Sequence, residues 1–548
     1  MVLFSISDLE FRALTFARSF FRLLWHSFTV LLAPTIIALV SFIMLLDLAV
    51  ILDRVSRLLS QQGYQGYAVG GLVRDWLLGR GINDIDIAVN GDATSIARKA
   101  AGAIDGKFVL LDEVNKVARV VVGEGEQQWE LDFSSFANNV AADLARRDFT
   151  INALAAELSQ LAGALSQRPA PTTGVKLIDP FSGESDLKNG TIRAVSPEIF
   201  ERDPARLLRA VRLAAELNFV IEPETEALIR RCSPLIASVP GEKTREELLK
   251  VVSLPGAARH LRYLDELGLL PALFPELAEG KGVEQPRLHF WDVFNHSLQT
   301  VAAVEFLIRE DDWEYGNEQI LAIAPWSEAM EKHLSREVST GSNGKVMLKL
   351  GGLFHDVAKP RKKVVDDNGG AHFYGHAREG ADMTVALLKR LRFSKRETDL
   401  VESLVCHHLR PMQMAGEGMP TQRAIYRYFR DTADAGSDIL ILALADYLAS
   451  RGPLLDREDW EENCRLINYI ITEHDKQQAK VLPEKLIDGH DLINIFGLAP
   501  GPLLGELLEL VREAQASGEV AAREGALALV RKELSLRGGS RIISTNKG

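Results

Sequence analysis

Cysteine is scarce. The 548 residues hold only Cys232, Cys406 and Cys464, far apart and without a CxxC pair. Both facts argue against a disulfide scaffold or a cysteine-ligated zinc site, and make a reducing compartment the default. An excess of positive charge is also missing: 63 Lys and Arg face 75 Asp and Glu, a net charge of −12. The whole chain is no polycation, so any nucleic-acid contact must use a local basic surface, because phosphate contacts still need Lys and Arg. Internal repeats and low-complexity blocks are absent. The remaining composition, 47% apolar and 25% charged, excludes disorder and collagen-like repeats. At roughly 100–200 residues per domain, the length corresponds to about three to five domains.

One long apolar run stands out. Leu23 to Leu46 covers 24 residues with no Lys, Arg, Asp or Glu. At about 1.5 Å per residue it could span a hydrocarbon core of about 30 Å. Arg12, Arg18 and Arg22 precede it, so the positive-inside rule would keep the N-terminus cytoplasmic and export the rest. A signal peptide would do the same, but no clear small-residue cleavage site follows. Export conflicts with the nucleotide site argued below, which needs a cytoplasmic location. Met44 precedes LLDLAVILDRVSRLLSQQGY, an amphipathic opening helix. Residues 1–43 are therefore expected to be an extension from an incorrectly assigned start; a membrane-associated or buried helix is the alternative.

Residues 46–60 read as a helix ending near Gly63. Between 66 and 158, YAV, DIDIAV, FVLL, ARVVVG and WELDF alternate with helical stretches, which predicts α/β structure. From about 197 onward, Leu and Ala recur at three-four spacing, as in RLLRAVRLAAEL, and the pattern is nearly all helical. Residues 160–175 read as a loop or strand-connecting insertion, 310–345 as an insertion, and the tail after 536 as frayed.

Several segments of the α/β part carry chemistry. Gly70-Gly71 after a strand, followed by Arg74, suits close approach of backbone to phosphate; a tight turn explains the glycines equally well. In DIDIAV, Asp84 and Asp86 are two apart on a strand and share a face, while Ile85 and Ile87 enter the core. Paired carboxylates of this kind can hold divalent ions for phosphoryl transfer. Glu130-Leu131-Asp132 repeats the geometry, and Asp132 on an adjacent strand would complete a cradle. Arg146 and Arg147 precede Asp148-Phe149-Thr150, which reads as a helix opening with Asp148 or Thr150 as N-cap. Asp203-Pro204 reads as N-cap and N1 of another helix. Arg206, Arg209 and Arg212 line one side of that helix, opposite Leu207, Leu208 and Val211.

In order along the chain, GGLVRD, DIDIAV, RRDFTINALA, DPFSGESDLKNG, DPARLLRAVRLAAEL and EKTREELLKVV resemble class II tRNA nucleotidyltransferases, the family of CCA-adding enzymes and bacterial poly(A) polymerases. The resemblance covers about residues 46–270. It implies a polymerase-beta-like mixed-sheet head, with Asp84 and Asp86 holding Mg²⁺ and Asp132 as a further carboxylate. Gly70, Gly71 and Arg74 would face the triphosphate, and Arg147, Asp148 and Asn152 the ribose or sugar–phosphate. Asp179, Pro180, Gly183 and Asp186 would couple domain movement to nucleotide choice. Asp203 and Arg206 would read the base of CTP or ATP, supported by Arg209. The family carries Glu-Asp where this chain has Arg202-Asp203, which bears on how the base-reading pair is oriented.

A second constellation follows: His296, His355-Asp356, His376, His407-His408 and Asp446. Helix-borne His and Asp can build a divalent-metal site that activates water against phosphoesters. Over about residues 286–452 the spacing resembles the HD phosphohydrolase superfamily. That resemblance implies His296, His355, Asp356 and Asp446 as ligands of a transition metal. His376 and His407 or His408 fall where binuclear members carry extra ligands, and Lys359 could face a phosphate. Residues 482–535 are similar to the C-terminal helical region of these nucleotidyltransferases, which implies contact with the tRNA elbow.

The expected organisation is an extension at 1–45, an α/β head at 46–195, a helical neck at 196–275, an all-α HD domain at 286–452 and a helical tail at 453–535. The expected enzyme is cytoplasmic and adds C and/or A to the tRNA 3′ end from CTP and ATP, releasing pyrophosphate, with an accessory HD phosphohydrolase. Alternatives are poly(A) synthesis, an HD hydrolase whose head clamps RNA, and a noncatalytic membrane-tethered RNA-binding protein. The paired carboxylates argue against the clamp, which needs no acids on a strand.

Overall fold

The computed structural model describes residues 33–82, 84–124, 127–167, 174–286, 289–415, 418–479 and 485–544, with side chains from Asp47 to Arg537 apart from those of Glu124, Gln127 and 477–479. The proposed extension thus falls largely outside the described residues, as do the first ten residues of the apolar run. Among the described residues, no helix is long and apolar enough to cross a membrane. The chain divides into two compact units. One comprises residues up to 206 with 216–229; the other comprises 207–215 with everything from 230.

The first unit is built on a seven-stranded mixed sheet. Helix α1 (Ala33–Gln61) precedes β1 (Gly66–Val69), α2 (Gly71–Leu77), β2 (Asp84–Val89) and α3 (Ala93–Ala103). Then come β3 (Lys107–Asp112), β4 (Val117–Glu124), β5 (Gln127–Ser135), β6 (Ala155–Glu157), α4 (Leu158–Leu165), β7 (Leu177–Ile178) and α5 (Gly183–Lys188). The strand order is β3-β4-β5-β2-β1-β6-β7. Only β2 and β5 run parallel; every other neighbouring pair is antiparallel. Helix α1 starts earlier than its sequence pattern predicts but ends as expected, before Gly63 at φ +75°. Leu48, Ile51, Leu52, Val55 and Leu59 form its fully buried stripe, at the spacing of one helical face.

Three expectations fail here. The stretch 148–153 is no helix opening; it makes one 3-10 turn at Thr150–Asn152. The next residues are claimed by β1, with Ala155 opposite Val69 and Ala156 opposite Ala68, so sheet pairing overrides the apolar spacing. Residues 158–165, expected partly as loop, form α4, while 168–173 lie outside the described residues. Asp203 does not start the next helix two residues early: α6 is Arg206–Leu217, and Asp203 instead accepts from Ala205 N at 3.2 Å in a local turn.

The second unit is almost wholly helical. Its main elements are α7 (Gly241–Ser253), α8 (Ala257–Glu266), α9 (Val293–Leu307), α10 (Gly344–Phe354), α11 (His376–Arg390), α12 (Lys395–His407) and α13 (Gly436–Arg451). A core containing Val304, Leu348, Tyr428, Leu444 and Trp460 joins several of them. The supposed insertion at 310–345 holds two short helices, Glu318–Ile323 and Glu328–Leu334, and a small hairpin. The tail has its own apolar cluster around Leu492, Leu507 and Val511. Its last helix, Arg523–Ser544, continues beyond the expected fraying point.

Candidate active sites

Strand alternation on β2 sends Ile85 and Ile87 into the core, almost fully buried, and leaves Asp84 and Asp86 on the other face. The parallel register with β5 sets Asp84 opposite Glu130 and Asp86 opposite Asp132. Four carboxylates therefore share one patch of sheet. Arg119 on β4 answers two of them: its Nε and Nη2 donate to Asp132 at 2.7 and 2.8 Å, and its Nη1 to Glu130. Hydrogen bonds to Asp132 lead the causes that raise the Arg119 guanidinium above its usual pKa. The Asp86 carboxyl is raised above the ordinary carboxylate range. Burial is the main cause, Arg147 opposes it, and Asp132 and Asp84 add to it. Such a group favours a hard cation beside it, and carboxylate oxygens are the donors that Mg²⁺ prefers.

Gly70 closes this site from above. Its φ of +69° and ψ of −134° belong to glycine. A Cβ there would collide with the Arg147 guanidinium and lie 2.8 Å from Asp86 Oδ2. Arg147 itself pairs with Asp86 at 3.4 Å and Asp143 at 3.5 Å. Arg74 is buried and already engaged: Nε and Nη2 reach Asp75, each at 2.9 Å, and Nη1 reaches Asn152 Oδ1 at 2.8 Å. Asn152 in turn donates to Asp148 Oδ1 at 3.0 Å. Arg74, Asn152 and Asp148 thus form a connected buried network.

The DPFSGESD segment packs against the Thr150–Asn152 turn. Asp179 accepts from Gly183 N and Glu184 N at 2.7 and 3.0 Å. Asp186 accepts from Thr150 Oγ1 at 2.7 Å. Gly183 abuts the Thr150 backbone so closely that no Cβ fits. Asp203 and Arg206 lie 3.8 Å apart, and Arg206 also donates to Arg146 O at 3.0 Å. In the second unit, Arg209 and Arg212 both pair with Glu247, at 3.3 and 2.7 Å.

The helical unit brings the other predicted residues together. Asp292 caps α9 by accepting from Asn295 N, which sets His296 one turn in. Helix α10 ends at His355-Asp356, and α13 supplies Asp446. His296 Nε2 lies 3.1 Å from His355 Nε2, 3.0 Å from Asp446 Oδ1 and 3.4 Å from Asp356 Oδ2. His296, His355 and Asp446 can hold one metal ion, and Asp356, His376 and His408 form a second such group. Of the two adjacent histidines, His408 points in; His407 is in neither group and half-buried. Lys359 pairs with Asp356 at 2.6 Å and donates to Gln285 at 2.7 Å.

Burial alone would raise Asp356 and Asp446. Facing His355 and Lys359 charges in the first, and bonds to His296 and His355 in the second, hold both well below the usual range. Burial opposes charge on His355, yet Asp356 and Asp446 raise it to about 10. Burial pushes His408 down to about 3, with His355 adding to the effect.

Three participants were not singled out from sequence. Arg119 is a lone cation in an apolar strand, which is the signal that could have marked it. His289 rests edge-on to His296, ring centroids 5.3 Å apart, and burial above all depresses it to about 4. Glu247 clamps two of the neck arginines.

A mixed-sheet head bearing strand-paired carboxylates, followed by helices bearing a His/Asp cluster, defines a nucleotidyltransferase joined to an HD domain. Comparison with known families agrees. Residues 66–193 match the "Poly A polymerase head domain", 218–281 the "Probable RNA and SrmB- binding site of polymerase A", 293–451 the "HD domain", and 380–530 "tRNA nucleotidyltransferase domain 2 putative". The chain is 32% identical over 470 residues to the A-adding tRNA nucleotidyltransferase of Deinococcus radiodurans, covering 85% of this chain and 94% of that one. It is also 32% identical over 477 residues to the CC-adding tRNA nucleotidyltransferase of Geobacter sulfurreducens, covering 86% and 93%. The fold is shared with the Thermotoga maritima CCA-adding enzyme complexed with tRNA, at a TM-score of 0.54 and 22% identity, covering 90% and 95%. A CCA-adding enzyme solved with ATP gives a TM-score of 0.57 at 22% identity, covering 88% and 93%. The chain belongs to the tRNA nucleotidyltransferase family and is a nucleotidyltransferase enzyme.

Proposed function

We propose that this enzyme adds C and/or A to the 3′ end of tRNA from CTP and ATP, without a nucleic-acid template, and releases pyrophosphate. The observation that carries this reading is the register that sets Asp86 opposite Asp132, with Asp84 on the same face, beneath the Gly70 turn. Relatives with A-adding and CC-adding names match it equally well, at 32% identity.

Asp84 and Asp86 would hold Mg²⁺, which when bound polarises the α-phosphate and the attacking 3′-hydroxyl. Arg119 fixes Asp132 beside them. The Gly70-Gly71 backbone lets the triphosphate approach closely, and Arg147 beside Asp86 contributes positive charge there. Arg74 positions Asn152 and Asp148 for the sugar rather than meeting phosphate itself. Asp203 offers acceptors and Arg206 donors to the Watson–Crick edge, so protein side chains take the place of a template. Substrates of this kind support a cytoplasmic location. His296, His355, Asp356 and Asp446 would hold a divalent transition metal for an accessory phosphoester hydrolysis on RNA ends.

Purified protein incubated with Mg²⁺, each labelled nucleoside triphosphate and tRNA lacking its 3′ end tests the main reading. Incorporation of C, A or both supports it, and incorporation of none refutes it. A metal panel against 2′,3′-cyclic phosphates tests the accessory reading.

A further inference from the structure

The HD cluster accounts for a phosphate and not for the rest of a substrate. Of the described Phe, Tyr and Trp side chains, the two most exposed are Phe290 and Tyr374, at 48% and 75%. Both border that cluster. Phe290 follows His289, whose ring rests edge-on to His296. Tyr374 lies two residues before His376, so their Cα atoms are at most about 7 Å apart. Gly375, at φ +76°, separates the exposed Tyr374 from the buried His376.

Tyr374 is held by its neighbours. Its ring stacks on His372, 7° from parallel with centroids 5.3 Å apart. Its hydroxyl lies 3.4 Å from His372 Nδ1, and His372 Nε2 lies 2.9 Å from Asp366 Oδ2. A carboxylate only accepts, so Nε2 carries the proton and Nδ1 accepts from the phenol. Asp366 is itself fixed by accepting from Asn368 N and Gly370 N at 2.9 and 2.7 Å. The hairpin that carries these residues pairs Val364 with His372 and Val365 with Ala371. Packing within the hairpin accounts for one face of the phenol and leaves the other to solvent. A fixed, open aromatic face is what unpaired bases stack on, with little dependence on sequence. Cations stand beside it. Lys359 Nζ is 5.6 Å from the Phe373 ring centroid and 2.6 Å from Asp356. Lys363 donates to the neutral Glu284 O at 3.0 Å, and Arg378 is exposed two residues after His376. Phosphates are bound by such charges.

We infer that the His372–Tyr374 ring pair is a base-stacking platform for the HD site, and takes the unpaired nucleobase next to the phosphate on which that site acts. The inference rests on the reading of the HD cluster as a phosphoester hydrolase. The ligand is a nucleobase with a phosphate on its own ribose, at the end of a single RNA strand or as a free nucleotide. A base inside a duplex is already stacked and paired, so Tyr374 makes the site selective for unpaired ends.

The full chain is irradiated with a single-stranded ribo-oligonucleotide carrying 5-iodouridine at its 3′-phosphorylated end, and cross-linked peptides are mapped by mass spectrometry. The tryptic peptide 364–378 should carry the label in the wild type and lose it in Tyr374→Ala. Label in the head does not interfere, because each peptide is read separately. In hydrolysis assays with Mn²⁺, Tyr374→Ala should raise KM about tenfold for a single strand ending in a 2′,3′-cyclic phosphate, with kcat little changed. Tyr374→Phe should stay near the wild-type value, and Leu454→Ala, exposed elsewhere on the helical unit, should change nothing. A base-paired end with the same cyclic phosphate should show no dependence on Tyr374. A parallel loss for a nucleoside 2′,3′-cyclic monophosphate supports the platform with free nucleotides among its ligands; a loss confined to the oligonucleotide supports it for RNA ends alone. Retained nucleotide incorporation certifies folding. Hydrolysis with no label in 364–378 and an unchanged KM overturns the platform while the hydrolase reading stands. Label in 364–378 without any hydrolysis supports the platform and refutes the hydrolase reading. Equal weakening at the paired end overturns the platform, because the contact is then to the backbone. Should Tyr374→Ala misfold, absence of label from the wild-type peptide alone overturns the proposal.

Discussion

Replacing Glu305 by Ala should destabilise the helical unit by about 3 kcal/mol, the lower end for removing one partner of a buried ion pair. Glu305 and Lys349 are each 1% exposed and lie 3.0 Å apart. Glu305 is on α9, which carries His296; Lys349 is on α10, which ends at His355-Asp356. The same carboxylate accepts from Ala257 N at 2.9 Å and Ala258 N at 3.1 Å, so it also caps α8. Loss of the side chain leaves the Lys349 ammonium buried and two amides without acceptors. Lys349 keeps Glu310 at 2.8 Å and Val252 O at 3.1 Å, which is why the low end of the range applies. Lys349→Met in the Glu305→Ala background removes the stranded charge and should recover much of the loss, leaving mainly the cost of the cap, about 1 kcal/mol. Urea unfolding followed by fluorescence of Trp313 and Trp460, both buried in this core, measures both values. A loss below about 1 kcal/mol in the single variant, or no recovery in the double one, would contradict the assignment of the pair as the lock between these helices.

Gly70→Ala should lower nucleotide incorporation about 100-fold by displacing Arg147 and Asp86, with the melting of the helical unit unchanged; near-normal turnover would refute the close approach. Arg119→Ala removes positive charge beside four carboxylates, so half-saturating Mg²⁺ should fall while turnover also falls because Asp132 is no longer held. An Mg²⁺ titration of incorporation reads both, and unchanged values would exclude a role for Arg119. Burial would raise Glu397, but bonds from Arg245 at 2.5 Å and Ser342 at 2.6 Å lower it. A depressed folded-state pKa gives stability that is present above the unfolded value near 4.5 and lost as pH falls through the folded one. Glu397→Gln should therefore lose stability at pH 7 and flatten the acid limb of the unfolding curve; an unaltered limb would refute the linkage.

Five of the seven strands of the head were legible because each contains a short apolar run, alternating with acids in β2 and β5, and β5 lies beside β2 as the acids on it suggested. What failed was decided by distant pairing. The RRDFTINALA stretch has helical spacing, yet β1 recruits Ala155 and Ala156 into the sheet. The engagement of Arg119 with Asp132 depends on the antiparallel register of β4 and β5, which no local pattern specifies. Arg74 looked free for phosphate because its tie to Asn152 spans 78 positions. The choice between His407 and His408 turns on one residue of rotation at the end of α12, where the chain leaves the helix. The HD residues were legible as types and spacings, but the two oxygens of Asp356 facing two groups emerge only when five segments converge.

The central claim is that Asp84 and Asp86 carry nucleotide transfer. The direct measurement is incorporation of labelled CTP and ATP into tRNA lacking its 3′ end by wild-type protein and by the Asp84→Ala, Asp86→Ala double variant, in the presence of Mg²⁺. The account predicts incorporation by the wild type and none by a folded double variant. A double variant that still extends the tRNA would contradict it.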